Sequence, residues 1–213
     1  MKIYGSIFSP YVCRVVLAAR YKGIKHDLIM PEGGMKTKEF LAMNPFGKMP
    51  TLKDKSTAIP ESSVIIEYID SKFPKKRIIP STPKAAANAR LLASITDQYL
   101  QTSILALFRQ RDPKTRDKKL VKLTIKEIAD RLDIVSSYIA DSGNWSCGSR
   151  FTVADCYLMP ALFFMNILLP TFGLKDPFAD HKKIKKYWNK LKKDPLTKQA
   201  MKEMNVVAKT FMK

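Results

Sequence analysis

The chain has 213 residues, of which 38 are basic and 19 acidic, so its formal net charge is +19. A hydrophobic fraction of 46% is enough for a sizeable core, which excludes a wholly disordered chain. The two histidines and three unevenly spaced cysteines show no CxxC or HExxH spacing. This pattern argues against a zinc site and a disulfide framework, so we expect no metal and a reducing, cytoplasmic compartment.

The positive charge by itself suggests a polyanionic partner. However, 29 of the cations are Lys and only 9 are Arg. Lys lacks the planar fork with which Arg binds phosphates and guanine edges. The excess is spread along the chain and is densest in residues 180–193. We therefore expect a solvated lysine-rich surface rather than nucleic-acid binding, with a functional polyanion or membrane surface as the open alternative.

Strand and helix patterns alternate over about the first 75 residues. The predicted elements are strand 2–7, helix 11–22, strand 25–30, helix 36–43, a hairpin of 49–52 and 57–59, and helix 62–72. Gly23 is expected to end the first helix. The order β-α-β-α-β-β-α predicts an α/β domain in which helices pack on a small mixed sheet.

The composition changes after residue 73. Residues 73–84 hold three prolines and four cations, which is typical of a linker. Helical patterns follow over residues 85–110, 117–140, 153–169, 182–193 and 196–212. We therefore predict an α/β domain (1–74), a linker (75–84) and an all-helical domain (85–213). The apolar stretch 153–172 includes Asp155, Asn166 and two prolines, so a buried core helix is expected there and no membrane span.

Three local features of the first domain carry the candidate chemistry, and the first is Ser9-Pro10. A strand ends and a helix begins there, and free N–H groups at a helix start attract an anion such as a thiolate. The Ser9 hydroxyl could donate to that anion, although Ser before Pro is also ordinary helix capping. No basic partner in the sequence would activate Ser9 as a nucleophile, which argues against a serine hydrolase.

The second and third features also have plain structural interpretations. If the Met49–Pro50 bond is cis, the Met49 backbone can pair with an extended peptide ligand; the alternative is an ordinary turn. Glu61 and Ser62 stand at the head of a helix. A ligand carboxylate could bind the free N–H groups and the Ser62 hydroxyl there, and Glu61 could pair with an ammonium group. Simple N-capping is the alternative.

Together these features resemble the cytosolic glutathione transferases, which have a thioredoxin-like N-terminal domain and an all-helical C-terminal domain. The resemblance covers nearly the whole chain and is strongest over residues 1–14, 36–52 and 60–70. It is closest to the phi class, with the tau class and its bacterial relatives second. It implies glutathione as co-substrate, transfer of its thiolate to a small electrophilic substrate, and a homodimer.

The resemblance also assigns roles near the sulfur of glutathione. Ser9 would stabilise the glutathione thiolate as the catalytic hydroxyl. Met49 would pair its backbone with the cysteinyl unit, held in place by a cis Pro50. Glutathione-dependent reductases of this superfamily have a catalytic Cys where Ser9 stands. Cys13 lies one helical turn further on, so we expect it to pack beneath the site instead.

The two ends of glutathione have further implied ligands. Lys36 and Lys48 would bind the glycyl carboxylate, while Glu61 and Ser62 would bind the γ-glutamyl end. Met35 stands where phi-class enzymes often have His, and Lys48 stands where Gln is common. Both departures from the family pattern fall at the glycyl end of the implied site.

An apolar pocket for the second substrate is expected next to the thiolate. Its candidate residues are Phe8, Tyr11, Ile104 and Phe108, although a core position is equally compatible with Phe108 and its neighbours. Further along, Thr152 and Asp155 form a predicted capping box with a structural role. Two alternatives to transferase activity stay open: a glutathione-dependent peroxidase or thiol reductase, and a non-enzymatic interaction module that uses the basic surface.

Overall fold

The computed structural model describes residues 1–211 of the chain. Its strands are β1 (Lys2–Tyr4), β2 (Asp27–Ile29), β3 (Thr51–Asp54) and β4 (Thr57–Pro60). Its first helices are α1 (Pro10–Tyr21), α2 (Lys38–Met43), α3 (Ser62–Lys72), α4 (Pro83–Ile95) and α5 (Gln101–Arg109). They are followed by α6 (Lys118–Tyr138), α7 (Val153–Leu168), α8 (Lys182–Leu191) and α9 (Pro195–Phe211). Residue 212, the last of the predicted helix 196–212, lies outside the described residues.

The four strands form one mixed sheet in the order β2-β1-β3-β4. β1 pairs with β2 in parallel, and β3 pairs antiparallel with both β1 and β4. β4 therefore runs parallel to β1. This confirms the predicted α/β fold, although β1 and β2 are shorter than the predicted strands 2–7 and 25–30. Gly5 follows β1 with φ 143°, a backbone angle that L side chains rarely adopt, and the strand ends there.

The chain divides into two compact units. The first comprises Met1–Ile79 together with the C-terminal segment from Asp194, and the second comprises Pro80–Lys193. The boundary at Ile79 falls inside the predicted linker 75–84. The domain limits 1–74 and 85–213 stay a prediction, but α9 groups with the α/β unit.

α9 joins the first unit through its contacts with α1. The Cys13 thiol lies 3.6 Å from the Met204 sulfur, and Arg20 forms a 2.8 Å ion pair with Glu203. The apolar periodicity predicted helix α9 but did not indicate the unit on which it packs. The same apolar face could pack against the α/β unit or against the helical unit.

The second unit is built around α7. Fourteen of its sixteen residues are buried, and the capping box of Thr152 and Asp155 is present as predicted. By length and composition alone, Val153–Phe172 could cross a membrane. However, 83% of its 18-residue apolar stretch is buried inside the protein. The helix is therefore the core element of this unit.

The predicted single helix 85–110 is wrong in one respect. A π-helical turn at Thr96–Leu100 separates α4 from α5. The Thr96 hydroxyl donates to the Leu92 carbonyl at 2.7 Å, and both Thr96 and Leu100 are fully buried. The wider turn keeps these two side chains in the core while accommodating one extra residue. Apolar spacing cannot reveal such an insertion.

A buried carboxylate joins the far ends of α1 and α3. Asp70 forms a 2.7 Å ion pair with Lys22, and the two side chains are 1% and 0% exposed. Its two oxygens also accept hydrogen bonds from the N–H groups of Ile78 and Ile79. The Lys22 ammonium additionally donates to the carbonyl of Lys75 at 3.1 Å. One charge pair therefore fixes two helices and the segment that leaves the first unit.

We expect Asp70→Ala to lower the free energy of unfolding by about 3–5 kcal/mol, because it leaves the Lys22 charge buried without an anionic partner. Urea denaturation measures the change. The control is Asp130→Ala, which breaks the exposed Lys126–Asp130 pair and should leave stability nearly unchanged. Similar losses in the two variants would contradict the prediction.

Candidate glutathione site

One edge of the sheet collects the predicted site residues. Ile29, Tyr4, Thr51 and Pro60 are aligned across the four strands by the pairing register. The chain leaves this edge after Tyr4 toward Ser9 and after Pro60 toward Glu61. It reaches Thr51 at the same edge through Met49 and Pro50. Strand direction alone therefore brings three separate sequence features to one side of the first unit.

The first helix begins at this edge with Ser9 as its N-cap. The Ser9 Oγ accepts a hydrogen bond from the Val12 N–H at 3.5 Å. A hydroxyl that accepts in this way keeps its own proton for donation to another group. The first turn of α1 contains no acidic side chain, so the positive end of the helix dipole is not neutralised.

The third helix also begins at this edge. Glu61 stands at its N-cap with φ 67° and ψ 116°, and no side chain caps the helix. A non-glycine residue at such angles is strained and persists only where its surroundings enforce it. Glu61 is exposed, whereas Ser62 is only 6% exposed. The first turn again contains no acidic residue, so this helix start too can receive an anion.

The segment before β3 is shaped by Asn44, a residue that the sequence analysis missed. Its Nδ2 donates to the Lys48 carbonyl at 2.8 Å and to the Thr51 hydroxyl at 2.9 Å. Its Oδ1 accepts from the Phe46 N–H at 3.0 Å. Asn44 is 1% exposed, and the Met49–Pro50 bond within the segment is cis. The only sequence signal was Asn before Pro, which is also an ordinary turn pattern.

Gly5 lets this segment and α1 approach each other closely. A Cβ at this position would lie 2.6 Å from Cγ2 of Val12 and 3.0 Å from Cβ of Met49. The first distance is shorter than real side chains show, and the second is tight enough that Met49 would have to shift. The absence of a side chain at residue 5 therefore allows the Met49 segment to lie directly against the first turn of α1.

Two lysines stand beside the same segment. A Cβ on Gly47 would lie 2.9 Å from the Lys36 Nζ, so this ammonium group is next to the turn that precedes Lys48. Both lysine side chains are exposed. α2 begins later than the predicted helix 36–43, because Thr37 caps it through the Phe40 N–H at 3.3 Å. Lys36 consequently lies on the loop rather than in the helix.

The four candidate pocket residues fall in different units. Phe8 and Tyr11 belong to the first unit, where Phe8 is 9% exposed and Tyr11 is half-buried. Ile104 and Phe108 belong to the second, where Ile104 is 2% exposed. Phe108 is half-buried and packs edge-on against Phe164 at 6.5 Å between ring centroids. Their shared role in a pocket stays a prediction.

Cys13 is placed as expected, one turn into α1 and inside the core. It is fully buried, and burial raises the pKa of its thiol to about 12, against the lowering influence of Arg20 and Arg14. The thiolate is therefore scarcely populated at neutral pH. Among residues 1–211, no group of three or more His, Cys, Asp or Glu side chains is arranged to hold a metal ion.

Known proteins resemble the chain over most of its length. Residues 3–77 match the N-terminal domain of glutathione S-transferases, and residues 95–195 match their C-terminal domain. Maleylacetoacetate isomerase of Pseudomonas aeruginosa is 30% identical over 76% of this chain and 80% of its own length. A stringent starvation protein A homologue of Haemophilus ducreyi is 28% identical over 88% of this chain and 81% of its own.

A solved structure shows the same fold. The glutathione S-transferase of Methylobacterium radiotolerans, crystallised with glutathione sulfonate, has a TM-score of 0.77 and 22% identity. The match covers 94% of this chain and 93% of that one. The sheet, the helical second unit and these matches agree with one another, and the chain belongs to the glutathione S-transferase family.

Proposed function

We propose that this chain is a glutathione transferase that holds glutathione along the edge of its first unit and transfers the thiolate to small electrophilic, apolar substrates. The observation that carries the proposal is the meeting of two helix starts, at Ser9 and Ser62, whose first turns contain no acidic residue, with the Met49 segment between them. Family membership supports glutathione chemistry in general, and the related Methylobacterium protein binds a glutathione derivative.

In the proposed complex, each part of glutathione meets a group of matching chemistry. The γ-glutamyl carboxylate accepts hydrogen bonds from the start of α3 and the Ser62 hydroxyl, while Glu61 pairs with the ammonium group. The cysteinyl backbone pairs with Met49 beside Pro50. Lys36 and Lys48 attract the glycyl carboxylate. The sulfur then lies at the start of α1, within reach of the Ser9 hydroxyl.

The chemical step begins with ionisation of the thiol. A free thiol has a pKa of about 8.5, and lowering it by about two units makes the thiolate the major form at neutral pH. Such a shift corresponds to about 2.7 kcal/mol. The Ser9 hydroxyl and the N–H groups of the first turn would stabilise the negative sulfur. The thiol proton goes to solvent, a carbon–sulfur bond forms, and the leaving group departs with its electron pair.

A hydroperoxide is a second substrate class compatible with the same thiolate, because attack on an oxygen–oxygen bond requires no protein thiol. A reductase mechanism that uses Cys13 is disfavoured, since this thiol is fully buried and its pKa is raised to about 12. The non-enzymatic interaction module stays open as a further alternative. Retention on immobilised glutathione does not by itself separate the non-enzymatic alternative from transferase or peroxidase activity. A turnover assay on the same protein is also needed.

We also propose that the chain forms a homodimer. α6 presents several large apolar side chains to solvent, namely Leu120, Leu123, Ile134 and Tyr138. They form two exposed apolar pairs, one at the beginning and one at the end of the helix, and exposed apolar groups of this kind are often covered by another subunit. Light scattering coupled to size-exclusion chromatography gives the mass directly.

We expect Ser9→Ala to raise the pKa of enzyme-bound glutathione toward 8.5 and to lower the conjugation rate at pH 7 roughly twentyfold, in proportion to the lost thiolate. The rate should recover as pH rises through the new pKa. The pH profile of kcat/KM with a chloronitrobenzene substrate measures both effects.

The matched control is Ser62→Ala at the other helix start. It should raise KM for glutathione and leave the pKa of the bound thiol unchanged, because Ser62 is assigned to the γ-glutamyl end. A Ser9→Ala variant with the unaltered rate and pH profile would sink the assignment.

Asn44→Ala should raise KM for glutathione by about tenfold. Loss of the amide leaves buried groups without hydrogen bonds, at about 1–3 kcal/mol, and frees the Met49 segment to move. Steady-state kinetics and thermal unfolding measure the two consequences. Asn88→Ala, an exposed Asn on α4, is the control and should change neither value. An unchanged KM in Asn44→Ala would refute the positioning role.

Cys13→Ala should retain conjugation and peroxidase activity at close to the wild-type rate. In the native protein, Cys13 should react with a thiol-specific reagent only after the fold opens, because its thiol is buried and largely protonated. Mass spectrometry of labelled peptides measures this. Activity that requires Cys13 but survives Ser9→Ala would instead establish the reductase alternative.

A further inference from the structure

The outer face of α8 concentrates the positive charge of the second unit. Residues 181–193 include seven lysines and no Asp or Glu. The apolar residues of the helix are all buried, namely Ile184, Tyr187, Trp188 and Leu191. They recur at helical spacing and occupy one side of α8, so the lysines occupy the other side.

The inner face of α8 is firmly held. The Trp188 ring packs against Phe178 at 5.8 Å between centroids. The Tyr187 hydroxyl donates to the buried carboxylate of Asp155 at 2.7 Å, and this same carboxylate forms the capping box of α7. The apolar side of α8 is thus committed to the core. The helix can present only its cationic side to a partner.

A stripe of lysines runs along the middle of this outer face. Lys182, Lys186 and Lys193 are separated by four and seven residues, and Asn189 lies between the last two. Lys193 stands in the turn that follows α8, whose last residue is Leu191. At 1.5 Å per residue the helix itself is about 14 Å long from Lys182 to Leu191. Together with Lys185 and Lys190 these residues line an open cleft of about 460 Å³.

Nearby acidic side chains form ion pairs with lysines beside the stripe. The hydrogen bond from Lys183 lowers the pKa of Asp141, and the charge of Lys186 adds a smaller contribution in the same direction. Lys183 pairs with Asp141 at 2.7 Å, and Lys185 pairs with Asp176 at 2.6 Å. Among the described residues, no ion pair joins an acidic side chain to Lys182, Lys186 or Lys193. The three ammonium groups of the stripe are therefore available to an external anionic surface.

The composition of the stripe narrows the choice of partner. Between residues 181 and 193 there is no Arg, and the two aromatic side chains are buried. The outer face of α8 therefore has no planar guanidinium group to bind phosphates or bases and no exposed aromatic ring on which bases could stack. Hydrated point charges spread along one helix face suit a broad, diffuse negative surface, which anionic phospholipid headgroups provide.

We propose that the outer face of α8 docks onto bilayers that contain anionic phospholipids, through lysine–headgroup attraction and without insertion of the helix. The proposal concerns a surface of the second unit and does not depend on the glutathione chemistry of the first. If the proposed transferase function also holds, docking would bring the enzyme to the phase into which apolar electrophiles partition.

The experiment compares the whole protein with two triple variants on vesicles of phosphatidylcholine with and without phosphatidylserine. The test variant is Lys182→Gln, Lys186→Gln, Lys193→Gln. The matched control is Lys198→Gln, Lys202→Gln, Lys209→Gln, which removes three exposed lysines at the same spacing from α9. The two variants have equal net charge, and circular dichroism with thermal unfolding verifies that both are folded.

We expect the wild type to co-sediment with phosphatidylserine vesicles at low salt, to dissociate as salt is added, and not to bind phosphatidylcholine alone. The α8 variant should lose roughly a hundredfold in partition coefficient, and the α9 variant far less. Glutathione-resin retention should be the same in all three proteins.

Three results would overturn the proposal. They are absence of phosphatidylserine-dependent binding by the wild type, equal losses in the two variants, and binding that resists high salt. The proposal would also be overturned if the wild type bound a single-stranded oligonucleotide but no vesicles, and if only the α8 variant lost oligonucleotide binding. The outer face of α8 would then be assigned to nucleic acid.

Discussion

The direction of β3 is the constraint on which the candidate site depends. β3 runs antiparallel between β1 and β4, so β1 and β4 run parallel to each other. The helices that follow these two strands must therefore start at the same edge, where β3 itself begins. Two helix N-termini and one irregular segment meet there as a consequence of strand direction. The chemistry of the edge then depends on small local choices: a serine as N-cap, a glycine that permits close approach, and no acidic residue in either first turn.

α1 and α3 are held in position by an interaction at their C-terminal ends, away from the candidate site. α1 and α3 pack together, and the Lys22–Asp70 pair joins the last residues of both helices. Burying two charges is costly, and the pair recovers that cost only through its additional hydrogen bonds to backbone groups of the following segment. The same carboxylate therefore sets the position of two helices and of the chain that leaves the unit. Asp155 has a comparable role in the second unit, where it joins α7, the loop at Ser146 and α8.

The sequence allowed the order of elements, the mixed sheet, the starts of α3 and α7 and the capping box at Thr152 to be predicted, because each depends on local patterns. It did not reveal the π-helical turn at Thr96–Leu100, since that turn depends on which side chains the core accepts. It also missed Asn44, whose function in shaping the Met49 segment comes from three hydrogen bonds to residues up to seven positions away. The strained backbone of Glu61 is likewise a product of its surroundings, because nothing about Glu predicts a positive φ.

The placement of α9 makes the first unit discontinuous along the chain. Cys13, near the beginning of the sequence, is covered by Met204, close to its end. During synthesis from the N-terminus, the strands and helices of residues 1–79 are made before the segment that completes their packing. The face of α1 that α9 covers in the folded protein therefore lacks α9 until the second unit, Pro80–Lys193, has been translated. The order of synthesis therefore leaves the Cys13 side of α1 without its α9 partner until the last segment of the chain has been made.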